Sequence, residues 1–286
     1  MDRLQIDKEK KRPLGNIVIC YTDTMKRKPK ILITNDDGIS AKGLWHLWHA
    51  LHEKADVSIV APAIQKSGAG LGLTLHKPIT INPVKWEHTT PAWKVSGTPA
   101  DCIRFGLRLV LKEKPDLIVS GINKGSNAGR NVLYSGTIGG VIEGTMKEIP
   151  GIAFSSVEFD EPRYEVIEPF IYPIVEHFLE HPLSAGTILN VNFPSKFAKF
   201  KGIKLARQGK GLWIEDPDER VHPDGEPYFW HGGKWAHHDE HEESDVSLLN
   251  KGYITAVPIH INELTDYSFL RERKSHFESH FTNISE

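Results

Sequence analysis

Cysteine is almost absent: Cys20 and Cys102 are the only two in 286 residues. Two thiols make no disulfide framework, so the sequence fits a reducing, cytoplasmic setting. Long apolar runs are missing as well, which excludes a bilayer-spanning segment and leaves no expected membrane partner. The opening MDRLQIDKEKKRPLG carries mixed charge and no apolar stretch, and so does not read as a secretory signal. Charge of one sign is lacking too. A formal net charge of −2 gives no general pull toward nucleic acid, and no stable nucleic-acid complex is expected. Neither an internal repeat nor a low-complexity tract is present. What is there, 39% hydrophobic and 25% charged residues, describes a globular chain long enough for one large α/β domain with an appendage.

Residues 1–29 lean basic through Lys8, Lys10, Lys11, Arg12, Lys26, Arg27 and Lys28. They show no periodicity and are expected to form a flexible, solvated extension, with Met25 just ahead of the first convincing strand. From residue 30 to about 200, apolar runs alternate with amphipathic ones. Lys30–Thr34 reads as a strand. AKGLWHLWHALHE places Leu44, Leu47, Trp48 and Leu51 at helical spacing, and ADVSIVAP is a second strand closed by Pro62. This β-α-β unit predicts a parallel pair. After a glycine-rich loop, QKSGAGLGLTL, two short half-exposed strands lie in PITINPVKW and AWKVSG and are expected to pair antiparallel. Thr98 and Pro99 open a helix expected to run to about Lys114. DLIVSGIN, GIAFSSV and TILNVNFP continue the strands, and SGTIGGVIEGTMKEI and Tyr164–His181 the helices. The alternation predicts a doubly wound, mostly parallel sheet, with 30–200 as the α/β catalytic core. Residues 201–286 read as a polar segment rich in Trp, His and Asp between strands GIKLARQG and GYITAVPIHIN, with a short helix near the end.

One stretch raises a physical problem. ILITNDDGIS runs from a buried strand into two adjacent carboxylates, Asp36 and Asp37, followed at once by Gly38. Like charges at the mouth of a sheet repel, and desolvation worsens the repulsion. Ser67 and Gly68, after the second strand, and Ser120, Gly121 and Asn123, ending LIVSGIN, occupy equivalent positions. In a parallel sheet these strand ends share one edge, where ligands bind. Carboxylates with hydroxyl and amide oxygens form an all-oxygen donor set suited to a hard dication such as Mg²⁺ or Mn²⁺ rather than Zn²⁺ or copper. A dication would neutralise the pair; the alternative is that an Asp only caps the next helix. NKGSNAGRNVLYSGTIGG adds amide side chains at Asn123 and Asn127, and a Ser-Gly-Thr helix start at Ser135. Amide N–H groups and hydroxyls at a helix N-terminus suit a phosphate.

The blocks ILITNDDGI, KSGAGLGLTL, VSGTPADC, PDLIVSGINKGSN and VLYSGT, with ILNVNFP and SDVSLLNKGYITAVPIHI later, closely resemble the signature blocks of the SurE family (stationary-phase survival protein E), over about residues 30–262. The resemblance implies a metal-dependent nucleotidase that hydrolyses nucleoside 5′- and also 3′-monophosphates to nucleoside and phosphate. It implies one divalent cation per subunit, held at the positions of Asp36, Asp37, Ser67 and Asn123, with the two Asp as catalytic residues. Phosphate contacts fall at Asn127, Ser135, Gly136 and Thr137. A Rossmann-like core is implied, with a C-terminal β-hairpin extension used for oligomerisation as a homodimer or homotetramer. The sequence departs from the family pattern at Arg130 and Asn131, where many members are acidic, and residues 1–29 lie outside it.

Rival readings are weaker on the residues. A receiver-type signalling module also keeps an acidic pair after its first strand, but it is shorter and needs a phospho-accepting Asp where LIVSGIN offers Ser and Asn. A non-catalytic nucleotide sensor is separated from an enzyme by a phosphate-release assay. HHDEHEESD, residues 237–245, lacks separated zinc-ligand spacing and reads as a solvated loop. Trp45 and Trp48 are three apart on a helix and read as a packed aromatic face, and Arg104 and Arg108 as a solvated one.

Overall fold

The apolar run at residues 31–33 forms the buried middle of a nine-stranded sheet. The structure, a computed structural model, describes residues 27–195 and 199–281. In chain order the elements begin with β1 (Lys30–Thr34), α1 (Lys42–Leu51), β2 (Asp56–Pro62), β3 (Ile81–Pro83), β4 (Ala92–Val95) and α2 (Pro99–Phe105). They continue with β5 (Leu117–Lys124), α3 (Gly136–Thr145), β6 (Gly151–Ser156), α4 (Tyr164–Glu180), β7 (Thr187–Phe193) and β8 (Ile203–Leu205). Next come β9 (Leu212–Glu215), β10 (Asp218–Val221), β11 (Pro227–Trp230) and β12 (Gly233–Ala236). The last elements are α5 (Asp245–Asn250), β13 (Ile254–His260) and α6 (Tyr267–Phe281).

Strand order is β3-β4-β2-β1-β5-β6-β7-β13-β8, and the run from β4 to β7 is parallel throughout. β3 and β13 join it antiparallel to β4 and β7, while β8 runs parallel to β13. Alternation along β1 serves two apolar layers. Ile31 and Ile33 pack with Leu44, Leu47, Trp48 and Ile167 of α1 and α4, whereas Leu32 packs with Cys102, Ile103, Ile138 and Val141 of α2 and α3. Helices on both faces make the sheet doubly wound, as its alternation predicts. The chain leaves β1 toward β2 on one side and returns to β5 on the other, so the switch point lies between β1 and β5.

The helix opened by Thr98 ends sooner than expected. Thr98 and Asp101 form a capping box, but α2 gives way at Gly106 to one π-helical turn through Val110, and Leu111 is already extended. A Cβ on Gly106 would stand 3.2 Å from Val60 Cγ2, so the glycine admits the sheet closely here. Pro115 also biases its predecessor out of helix. Cys102 is free and buried; Cys20 and most of the expected N-terminal extension lie outside the described residues. Arg27 pairs with Asp116 through two hydrogen bonds of 2.8 and 2.7 Å. Among the described residues no helix is long and apolar enough to cross a membrane.

β9 pairs with β12 and β10 with β11, so residues 212–236 form one interrupted hairpin arm outside the main sheet.

Candidate active site

Asp36 and Asp37 follow β1, and Asn123 ends β5, its neighbour across the switch point. Gly38, at φ +100°, turns the chain immediately after the pair. The turn is fixed by Asn35, whose Nδ2 donates to the Gly38 carbonyl at 3.0 Å while its Oδ1 accepts from the Gly38 N–H at 3.2 Å.

The two carboxylates are held differently. Asp36 is 4% exposed, and Thr137 donates its hydroxyl to Asp36 Oδ1 at 2.5 Å. The Thr137 backbone N–H also bonds this carboxylate. Gly136 is required beside it, because a Cβ there would lie 2.8 Å from Asp36 Cβ. The N-terminus of α3 thus closes directly on Asp36, the end of a helix that favours negative charge. Even so, burial pushes the Asp36 carboxyl up to about 6, the Thr137 hydroxyl opposes that rise, and the charge of Asp37 adds to it. Asp37 is less enclosed. Burial raises its carboxyl, while the Lys124 backbone N–H, donating to Oδ2 at 3.1 Å, and the charge of Lys124 act the other way.

The remaining expected residues gather unequally. Asn123 is buried and donates Nδ2 to the Gly125 carbonyl at 2.8 Å, which leaves Oδ1 for a cation. Ser67 is exposed and accepts from Gln65 Nε2 at 2.8 Å. Its loop is tied in one residue earlier, where the Lys66 N–H donates to the Asp36 carbonyl at 2.7 Å. Ser135 is the N-cap of α3, accepting from the Ile138 N–H at 3.1 Å. Asn127 donates Nδ2 to Ser155 Oγ at 2.8 Å, and its backbone is gripped by Asn192 Oδ1 and Asn190 Nδ2. One amide hydrogen is therefore committed inside the protein and the other is left for an anion.

The donor set fits a hard dication. Among the described residues no three His, Cys, Asp or Glu come together as a metal site, and neither Asp makes an ion pair. Two carboxylates supply the charge and neutral oxygens would complete the shell, the chemistry of Mg²⁺ or Mn²⁺. The Asp36 carboxyl is raised chiefly by burial, with the neighbouring charge of Asp37 adding to it, and a bound cation would oppose both.

With that geometry in place, likeness to known proteins decides the family. The family model described as "Survival protein SurE" matches residues 31–215. The chain belongs to the SurE family. A relative from Protochlamydia amoebophila (strain UWE25), named "5'-nucleotidase SurE", is 48% identical over 258 residues, covering 89% of this chain and 99% of that protein. One of the same name from Thermoanaerobacter sp. (strain X514) is 39% identical over 241 residues, covering 84% and 95%. The crystal structure of SurE from Aquifex aeolicus matches with a TM-score of 0.73 at 35% identity, covering 86% of this chain and 99% of that one.

Several supports of this SurE site carry little sequence signal. Tyr164 is buried, and its hydroxyl is pushed up to about 12 by burial and by the charge of Asp37. Asp245 is fully buried and accepts from Gly129 N–H at 3.0 Å and Gly209 N–H at 2.8 Å. This corrects the solvated-loop expectation for residues 237–245. His237, His238 and His241 are exposed, but Asp245 is a brace, and Glu240 accepts from the Lys210 and Gly211 N–H groups. Ser-Asp at the start of a short helix was the available signal. The departures at Arg130 and Asn131 also find partners at the root of the arm. The Arg130 N–H donates to Gly211 O at 2.8 Å, and Asn131 Oδ1 accepts from the Trp213 N–H at 3.1 Å. Trp48 is fully buried, as its helical spacing predicts, and Arg104 faces Glu143 at 3.6 Å.

Proposed function

We propose that this SurE-family chain is a metal-dependent 5′-nucleotidase, hydrolysing nucleoside 5′-monophosphates, and also 3′-monophosphates, to nucleoside and phosphate. The observation that carries the reading is the paired carboxylate at the switch point, closed on one side by the N-terminus of α3. The activity in the names of its relatives supports it. Asp36, Asp37, Ser67 and Asn123 hold one Mg²⁺ or Mn²⁺ per subunit. That cation, when bound, supplies Lewis-acid polarisation of a phosphoryl oxygen. Asn127, Ser135 and Gly136 offer the phosphate amide and hydroxyl donors around the start of α3, while Thr137, whose hydroxyl is donated to Asp36, sets that carboxylate beside them. Asp36, fixed by both the N–H and the hydroxyl of Thr137, keeps one geometry. Asp37, bonded through Oδ2 alone, keeps Oδ1 to take a proton from the attacking water.

The arm at 212–236, with its exposed Trp213, Val221, Phe229 and Trp230, serves subunit association as a homodimer or homotetramer. The test of the enzyme reading is phosphate release from 5′- and 3′-mononucleotides after EDTA treatment, with Mg²⁺ or Mn²⁺ restored separately. Release that depends on added metal is expected; absence of release with either ion overturns the reading.

A further inference from the structure

We propose that Phe159, carrying Lys124 on its ring, is a specificity-determining platform on which the base of a nucleotide stacks. The proposal rests on the nucleotidase reading and adds to it the side of the site that meets the leaving nucleoside.

Phe159 lies in the loop between β6 and α4 and is 60% exposed, unusual for a phenylalanine. Its ring is nevertheless placed. Lys124 Nζ sits 4.8 Å from the ring centroid, within cation–π reach. A Cβ on Gly125 would stand 3.1 Å from Phe159 Cδ2, so the ring edge rests on that glycine. Both contacts are made with residues whose backbone helps build the site. The Lys124 N–H bonds Asp37, and the Gly125 carbonyl holds the Asn123 side chain. The Gly125 N–H is anchored in turn to the Ser156 carbonyl at 3.1 Å, at the root of the loop that carries Phe159. The neighbours Glu158 and Asp160 line a separate cleft of about 670 Å³ with Arg163 and Phe200, whereas Phe159 contacts the residues after Asn123. Tyr164, where α4 begins, stacks on His46 and feels the charge of Asp37. The loop therefore presents one open aromatic ring against Lys124 and Gly125, the two residues that follow Asn123.

Stacking on an open ring is tolerant of base identity, because every base has a π-face. A platform of this kind separates nucleotides from phosphomonoesters without a base more than it separates one base from another. Lys124 on the ring enriches the same wall with positive charge near the phosphoryl position.

Adenosine 5′-monophosphate and ribose 5-phosphate, which lacks the base, measure this directly. Turnover (kcat and KM apart) and binding would be compared for the metal-loaded wild type, Phe159→Ala and Phe159→Trp. In the wild type, the mononucleotide should have the higher kcat/KM and the tighter binding. Phe159→Ala should reduce that preference about tenfold, mainly through KM, and Phe159→Trp should retain it, the range expected for loss of one base–aromatic contact. A preference that is the same in Phe159→Ala, or a loss shared equally by both compounds, overturns the platform. A wild type that binds both equally does so too, whatever its turnover. Failure of the wild type to release phosphate from either compound overturns the nucleotidase reading instead.

Discussion

The carboxyl edge of the sheet and the hairpin arm break the usual distribution of residues in opposite directions. At the edge, Asp36, Asn123, Asn127, Asn190, Asn192 and Ser155 are polar and buried. Along the arm, Trp213, Val221, Phe229 and Trp230 are apolar and exposed. Either inversion costs free energy in an isolated subunit: desolvated polar groups in the first case, hydrated apolar surface in the second. The edge offsets its cost internally through hydrogen bonds, but only in part at the two carboxylates, both of which burial still raises. The arm has no such internal compensation. On the proposed reading, the difference separates a site built for a small ion from a surface built for another copy of the chain.

The largest expected effect breaks the edge at its charge. Asp36→Asn and Asp37→Asn conserve shape but remove one negative charge each, so the metal-loaded enzyme should lose about a hundredfold or more in kcat, several kcal/mol of transition-state stabilisation. Phosphate release at saturating Mg²⁺ or Mn²⁺ reads this, and near wild-type turnover in both variants would reduce the pair to a helix cap. Asn123→Ala should weaken metal binding less, since a neutral oxygen contributes less to a hard cation.

Next is the brace that joins the two regions. Asp245→Ala strips the acceptor from the Gly129 and Gly209 N–H groups, both buried against it. Two orphaned donors, at ~1–3 kcal/mol each, should lower unfolding stability by about 2–6 kcal/mol. Denaturant titration measures the loss; a shift under 1 kcal/mol would show that water replaces the carboxylate.

A third effect has the opposite sign. The Asp36 carboxyl is raised from 3.8 to about 6, chiefly by burial, so folding favours its protonated form. Stability from that form is full below about pH 4 and is lost as pH rises through 6. For the metal-free protein the loss is on the order of 2–3 kcal/mol by linkage from the rise of 3.8 to about 6. Metal-free Asp36→Asn should therefore melt higher than wild type at pH 8, with the gap closing near pH 4. A gap independent of pH would assign the effect to something other than this carboxyl.

These regions also differ in how far the sequence reveals them. α1 is legible because one-sided burial imposes a helical period, with Leu44, Leu47, Trp48 and Leu51 all in the core, and β1, β2, β5 and β7 because burial on both faces leaves short, mostly apolar runs. Asp36 and Asp37 are legible because adjacent charges after an apolar strand demand an explanation. Asn190, Asn192 and Asp245 are not, because their partners in other elements lie 36 to 116 residues away and a single buried polar side chain leaves no period. The arm is obscure for another reason. All four residues of β10 and of β11 are exposed, so neither strand has the one-sided burial that yields alternation. The early end of α2 reflects a tertiary contact, Gly106 against Val60, that local pattern does not contain.

The smallest effect on the fold should come from the arm, and it sharpens the contrast most. Phe229→Ser with Trp230→Ser removes two exposed rings at the end of β11. Exposed substitutions away from caps and buried networks change stability by about 0.5 kcal/mol or less, so each isolated subunit should unfold almost as wild type does. Association should respond differently. If these rings are covered by another copy, burying them contributes ~25 cal/mol per Å² of apolar surface, and their loss should shift the assembly toward smaller species. Light scattering at micromolar concentration reads the mass, and circular dichroism checks that the fold is intact. A wild type that is monomeric and fully active at that concentration would remove the arm from assembly. So would a variant that associates as wild type does, and the exposed rings would then need a different partner.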